Sequence, residues 1–345
     1  MKEFHVHTTS RRTFLAFTGL SALAAAGCGT ASGSGVRNTG TLRYQGWAGQ
    51  VTPAELAAEL GYLEDVRLDW VGNTISGPQD IQSAASGQID FGGAFNGAIV
   101  KLASRDAPVR AVISYYGSDE AAFSGYYVTE DSPVRTPRDL IGRTVGMNTL
   151  GAHSEAMLDI YLREHGLSRA EAQKVERIVV PPVNTEQTLR RGQIDVAVLS
   201  GILRDKALET GGVRKLFSDF DLRGAFSAGT YVLTERFIDR NPETVRTFVT
   251  GVGRALDWSR TTPRDEVVAR MTEVVRRRKR NESTDALRYW RSYGVSAPGG
   301  RIDERELSVW ADWLAERGDI ERRSVDLGTL WTNEFNGGAG AAGKG

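Results

Sequence analysis

From Thr41 to Thr234, short apolar runs alternate with segments whose apolar residues recur every three or four positions. That alternation predicts an α/β chain with parallel sheets. In a first unit, strands are expected at Thr41–Tyr44, Val66–Val71, Phe91–Ala94 and Val109–Ser114. Helices are expected between them at Pro53–Leu60, Gln79–Ser86 and Ala98–Ser104. Thr52 before Pro53 reads as an N-cap with proline at the first helical position, and Gly61 reads as the stop. A pause at Tyr115–Gly125 leads to a second unit with strands at Tyr126–Thr129, Thr144–Met147, Arg177–Val180, Val196–Leu199 and Lys215–Ser218. Its helices are Ser154–His165, closed by Gly166, and Leu203–Thr210, with another opening at Thr136-Pro137. Ala225–Thr234 reads as a return to the first unit. Asn241 to Leu330 reads as helical, and Trp258, Trp290, Trp310, Trp313 and Trp331 along it read as core packing rather than a ligand box.

One tetrapeptide ties the two units together. Gly-Gln-Ile-Asp occurs at Gly87–Asp90 and again at Gly192–Asp195, each time after a helical segment and before an apolar strand. Each strand then meets a small polar turn, Ala94-Phe95-Asn96-Gly97 or Ser200-Gly201, and another helix. With the copies superposed, Gln82 falls on Gln187, Ser83 on Thr188 and Lys101 on Lys206. Glycine suits the left-handed end of the first helix. The carboxyl end of the strand then delivers a loop and a helix N-terminus to the edge where open α/β sheets hold ligands.

Composition changes this picture little; the N-terminus changes it more. The 345 residues are 40% hydrophobic and 25% charged, enough for two medium domains. With 43 basic and 43 acidic residues, nothing favours nucleic acid as a partner. Ser10-Arg11-Arg12-Thr13-Phe14-Leu15 matches the twin-arginine export pattern, with Arg11 and Arg12 as its pair, and small apolar residues follow to Ala26. Ala25-Ala26-Gly27-Cys28 resembles a lipobox, with Ala25 where a larger aliphatic residue is usual. Cys28 is the sole cysteine, which suits lipid attachment better than a disulfide; a signal cut nearby without lipid is the alternative. Gly29–Gly40 reads as a flexible tether, and the Gly/Ala-rich end as disordered. The run Arg276–Arg280 reads as a solvated helical end, with contact to anionic lipid as the sharper alternative.

The order of parts resembles the periplasmic-binding-protein fold of type II, and in detail the substrate-binding lipoproteins of ABC importers for aliphatic sulfonates, taurine and nitrate. The resemblance is carried by Gly46–Gly49, Gly87–Phe95, Ser132–Asn148, Val180-Pro181-Pro182, Gly192–Leu199 and Glu235–Pro242. It runs from about Thr41 to Trp258 and is loose beyond. It implies two lobes, each a mostly parallel sheet flanked by helices, and a helical C-terminal region. The expected division is a signal peptide at 1–27, a tether at 28–40, lobe I at 41–118 plus 226–336, lobe II at 119–225 and a tail at 337–345. The implied partners are a small anionic ligand, a permease and its ATPase, and the membrane through the N-terminal lipid. A monomer without cofactor is expected.

Carried residue by residue, the resemblance nominates Gln45, Gly46 and Trp47, then Thr74, Ser76 and Gly77, then Phe95 and Asn96 from lobe I. Lobe II would give Asn148, Thr149, Gly151, Ala152, His153 and Ser154, with Ser200 and Gly201; Thr230 and Tyr231 lie on the returning segment. Asn96 and Asn148 read equally as turn residues, and Ser154 as an N-cap. His153 has no partner histidine nearby and reads as a polar lining residue rather than a catalyst or metal ligand. These loops contain neither carboxylate nor arginine, yet they offer helix N-termini, so a monoanionic sulfonate, carboxylate or nitrate, or a neutral polar solute, fits them. Asp119 and Glu120 stand beside Tyr115 and Tyr116 and read as solvated. The alternatives are a neutral or aromatic nutrient such as a pyrimidine or thiamine precursor or a flavin, a biosynthetic enzyme on the same fold, and a sensory receptor. No nucleophile–base pair and no metal-ligand spacing supports the enzyme.

Overall fold

A computed structural model describes residues 40–337. The twin-arginine pair Arg11 and Arg12, Cys28, nearly all of the tether and the tail beyond Gly337 lie outside the described residues. Among the described residues no helix is long and apolar enough to cross a membrane.

The first lobe is laid down by β1 (Thr41–Gly46) and β2 (Arg67–Asn73), which pair as a two-stranded sheet, and by β3 (Phe91–Phe95) and β4 (Val109–Ser118) of a three-stranded one, with α1 (Pro53–Glu59), α2 (Gly77–Ala85) and α3 (Asn96–Ala103) between them. The second is laid down by β5 (Ser124–Thr129), β6 (Thr144–Met147), β7 (Glu176–Val179), β8 (Val196–Ser200) and β9 (Val213–Ser218). Its helices are α4 (His153–Glu164), α5 (Arg169–Ala172), α6 (Pro182–Arg190), α7 (Gly201–Thr210) and α8 (Asp219–Arg223). β10 (Phe226–Thr234) then runs back and pairs antiparallel between β3 and β4. In the same way β5 lies antiparallel between β8 and β9, while β6 is parallel to β7 and β8. Each lobe therefore carries one reversed strand, and these are the strands that enter it from the other lobe.

Local sequence accounts for the element starts. Thr52 and Glu55 form a capping box, with the Thr52 hydroxyl accepting from Glu55 N at 3.2 Å and Glu55 accepting from Thr52 N at 3.0 Å. The repeated tetrapeptide proves to be a sheet fastener. Asp90 N donates to Arg43 O at 2.9 Å while Arg43 N donates to Asp90 Oδ2 at 2.7 Å. In the other lobe Asp195 N donates to Thr144 O at 2.9 Å and Thr144 N to Asp195 Oδ2 at 2.9 Å. Gly87 and Gly192 take φ of 77° and 67°, and Ile89 and Ile194 are buried beneath them. The pair Gly92-Gly93 lets layers close up. A Cβ at Gly92 would stand 2.6 Å from Asp80 O on α2, and one at Gly93 would stand 2.7 Å from the Tyr115 ring.

Two expectations are corrected. Tyr115–Gly125 is mostly strand, because β4 continues to Ser118 along β10 and β5 begins at Ser124. The stretch after Asn241 is helical in α9 (Glu235–Arg240), whose end it meets, α10 (Pro242–Thr261), α11 (Arg264–Arg277), α12 (Arg305–Arg317) and α13 (Leu327–Leu330), but Arg278–Glu304 is irregular apart from short 3-10 turns. There Lys279, Asn281, Gly294, Gly299 and Gly300 take positive φ, which a helix cannot absorb. The arginine run closes α11 with Arg276, Arg277 and Lys279 exposed, as a solvated helical end would, while Arg278 and Arg280 turn inward. Arg278 and Arg280 reach Glu55 at 3.0 and 3.1 Å, and Arg277 reaches Glu59 at 2.8 Å.

Candidate functional site

A partly open cleft of about 310 Å³ lies between the two lobes. On the lobe II side two helix starts face it, Ala152–Ser154 at α4 and Ser200–Leu203 at α7. Neither N-cap side chain bonds the first turn of its helix, so those turns present N–H groups and the positive end of the helix dipole. The lobe I starts are less available. α1 is capped by Thr52 and begins with Pro53, and α2 has Pro78 in its first turn. Proline has no N–H to offer.

The same side carries paired charges. Arg204 is buried, donates to Asp205 Oδ1 at 2.7 Å and to Ala121 O at 2.7 Å, and lies 3.9 Å above the Phe123 ring. Arg291 donates to Asp205 Oδ2 at 2.8 Å. Two guanidiniums thus share one carboxylate. Both Arg204 and Asp205 line the cavity, which corrects the expectation of a lining without either charge. His153 sits 5.3 Å from Phe95 between ring centres, and its Nε2 is 2.9 Å from Asp219 Oδ2, off the line of a hydrogen bond. The other oxygen of Asp219 accepts from Ser118 Oγ at 2.9 Å and Ser124 N at 3.0 Å.

The opposite walls are aromatic. Trp47 and Phe95 come from lobe I loops, Tyr115 and Tyr116 from the end of β4, and Trp290 and Tyr293 from the irregular stretch. Burial raises the phenols of Tyr115, Tyr116 and Tyr293 above their ordinary range, so they stay neutral. They are ring faces and hydroxyls, not charges.

The structure brings ten of the nominated residues to the cavity: Trp47, Gly77 and Phe95 from lobe I, Asn148, Thr149, Ala152, His153 and Ser154 from the α4 loop, and Ser200 and Gly201 from the α7 loop. Eight lie elsewhere. Gln45 and Gly46 end β1, where a Cβ on Gly46 would meet Arg280 at 3.1 Å. Thr74 is buried and bonds Ser76 O; Ser76 reaches Thr149 Oγ1 at 3.5 Å, across from the other lobe. Asn96 is wholly buried and donates to Glu306 O at the start of α12. Gly151 donates to Glu155, Thr230 is buried in β10, and Tyr231 stacks on Tyr115 at 4.2 Å behind the wall. Asp119 is not a solvated acid: it accepts from Ala121 N, Ala122 N and Ser292 Oγ.

Sequence reasoning missed the stretch from Leu287 to Tyr293, most of whose residues line the cavity. Trp290 is in the core, as expected, and also borders the cavity. The available signal was local: two aromatics between arginines, followed by glycine, in a region without helical periodicity.

Two lobes, each with one reversed strand in its larger sheet and paired crossings beside an interlobe cavity, define the periplasmic-binding-protein fold. A family model described as NMT1/THI5 like matches residues 48–266, and the chain belongs to that family. In fold the chain is similar to the alkanesulfonate-binding protein SsuA from Xanthomonas axonopodis pv. citri bound to MOPS, with 18% identity, 86% of this chain and 99% of that one covered, and a TM-score of 0.67. It is also similar to the periplasmic aliphatic sulphonate binding protein SsuA from Escherichia coli, with 19% identity, coverage of 86% and 93%, and a TM-score of 0.63. The periplasmic nitrate-binding protein NrtA from Synechocystis PCC 6803 shares 11% identity, coverage of 86% and 87%, and a TM-score of 0.66. None of the curated proteins matches the chain in sequence.

Proposed function

We propose that this chain is the extracytoplasmic solute-binding component of an ABC importer, holding a small organic anion between its lobes and handing it to a permease. The observation that carries the reading is the pair of uncapped helix starts, α4 and α7, facing the interlobe cleft beside the Arg204–Asp205–Arg291 cluster. Directed N–H groups and helix dipoles suit a sulfonate, carboxylate or nitrate. The relatives in fold that bind sulfonates and nitrate support the same class. Closure would be a rotation about the strand crossings, driven by contacts made in the closed form alone. Export would use Arg11 and Arg12, and Cys28 would carry the lipid that holds the receptor at the membrane.

A thermal-shift panel of sulfonates, carboxylates, nitrate and cations tests the reading. A ligand at a hundred times its Kd adds about 2.7 kcal/mol of stability. An organic anion is expected to raise the melting temperature, and Trp47→Ala to shrink that rise. Stabilisation by cations alone would overturn the proposal. Mass spectrometry of the mature N-terminus is expected to find acylated Cys28.

A further inference from the structure

We infer that the ligand is an organic monoanion with a flat apolar body of one or two rings, and that the stretch Leu287–Tyr293 is the wall that selects it. This rests on the anion-binding reading above and goes further in naming the substrate class.

Size comes first. A dry apolar cavity of about 150 Å³ takes one benzene molecule. The interlobe space is about 310 Å³, so nitrate or taurine would leave most of it unfilled. Polarity comes second. Helix-start amides and Arg204 gather on the lobe II side, whereas the facing walls are mostly rings: Trp47, Phe95, Tyr115, Tyr116, Trp290 and Tyr293. Such a division orients a ligand with one charged end and one apolar end. Edge-to-face contacts keep the rings apart rather than collapsed, at 4.9 Å for Tyr115–Tyr116 and 5.5 Å for Trp290–Tyr293. Trp290 is buried, and its indole N–H, buried with it, has no protein partner.

The wall is also fixed in place. Gly117 N donates to Tyr293 O at 2.9 Å, the Tyr293 hydroxyl donates to Val51 O at 2.9 Å, and Ser292 Oγ donates to Asp119 at 2.6 Å. Gly117 and Gly294 touch backbone to backbone, and a Cβ on Gly117 would fall 2.2 Å from Gly294 O. On the lobe II side Arg291 holds Asp205, and Tyr289 bonds Glu209. This strap lies outside the residues that the family model matches, 48–266. The helix starts α4 and α7, in contrast, lie inside the matched region.

Titration calorimetry on the full chain tests this with naphthalene-2-sulfonate, benzenesulfonate, taurine, nitrate and uncharged 2-naphthol. The arylsulfonates are expected to bind at least tenfold more tightly than taurine or nitrate, and 2-naphthol at least tenfold more weakly than its sulfonate counterpart. Trp290→Phe, which keeps a ring in the core, is expected to retain the melting temperature and to weaken the two-ring probe several-fold. Tyr293→Phe removes only the bond to Val51 and reports on wall placement by a smaller loss. Tight taurine or nitrate binding with weak arylsulfonate binding would overturn the inference and leave the anion-binding reading standing. Equal affinity for 2-naphthol, or failure of every anion to bind, would overturn both.

Discussion

Asp80 is the residue whose chemistry is least expected from its place in the chain. It sits in the first turn of α2, where a carboxylate would ordinarily be welcome to the helix dipole. Here it is buried, accepts from Gly93 N at 2.7 Å through one oxygen and leaves the other without a partner. Burial pushes its carboxyl up to about 7 from 3.8, against the smaller lowering by the Gly93 N–H. The native state thus keeps a proton that the unfolded chain gives up above pH 4. Its contribution to stability is greatest below about pH 4 and declines as pH climbs to about 7, by on the order of 2–4 kcal/mol. Asp80→Asn keeps an acceptor for Gly93 and cannot ionise. Urea unfolding of both proteins from pH 4 to 8 is expected to show the variant gaining on the parent steadily across that window. Parallel curves would mean that Asp80 is not protonated in the native state.

At the scale of elements, the tetrapeptide repeat shows what two lobes share. Both aspartates close the N-terminal edge of a sheet by exchanging hydrogen bonds with the neighbouring strand, and each is backed by an arginine, Arg43 or Arg143. Asp90→Ala and Asp195→Ala should each cost about 1–2 kcal/mol, because each strands a backbone N–H. Lying in different sheets with no common partner, they should add within about 0.5 kcal/mol in the double variant, read from urea midpoints. The repeat, the Thr52-Pro53 start and the strand–helix alternation were legible because each is a local rule written in adjacent residues. The ends of β4 and β5 were not, since Tyr115 and Tyr116 owe their strand conformation to β10, more than a hundred residues away. The site divided along the same line. Helix starts after strands were readable, and ten nominated residues meet there. The ring wall was not, because nothing local to Trp290 distinguishes packing against a core from facing a cavity.

At the scale of the whole molecule, the C-terminal quarter grips both lobes. α12 packs Trp310 against Phe95 at 4.6 Å, while Arg317 at its end reaches Glu155 at 3.1 Å and also Asp159 on α4. Across the molecule, Arg291 and Arg288 reach Asp205 and Glu209 on α7. Parting the lobes must loosen some of these pairs. The pairs on α7 are largely solvated on their arginine side, so each is worth roughly 0.2–1 kcal/mol and weakens with salt. Ligand release, followed by tryptophan fluorescence in stopped flow, is expected to quicken a few-fold between 50 and 500 mM salt, values chosen to span a Debye length of roughly 14 to 4 Å. A rate indifferent to salt would show that the lobes separate without breaking these contacts.

The strap that carries Trp290 and Tyr293 also sets an order in time. The strands from β1 to β10 can all pair once the chain has folded as far as Thr234, yet the chamber then lacks one side. Solute capture has to wait for the strap to dock on Gly117. Exchanging this one short stretch between relatives is therefore the most economical route by which evolution, or an engineer, could retarget the receptor while leaving its sheets untouched.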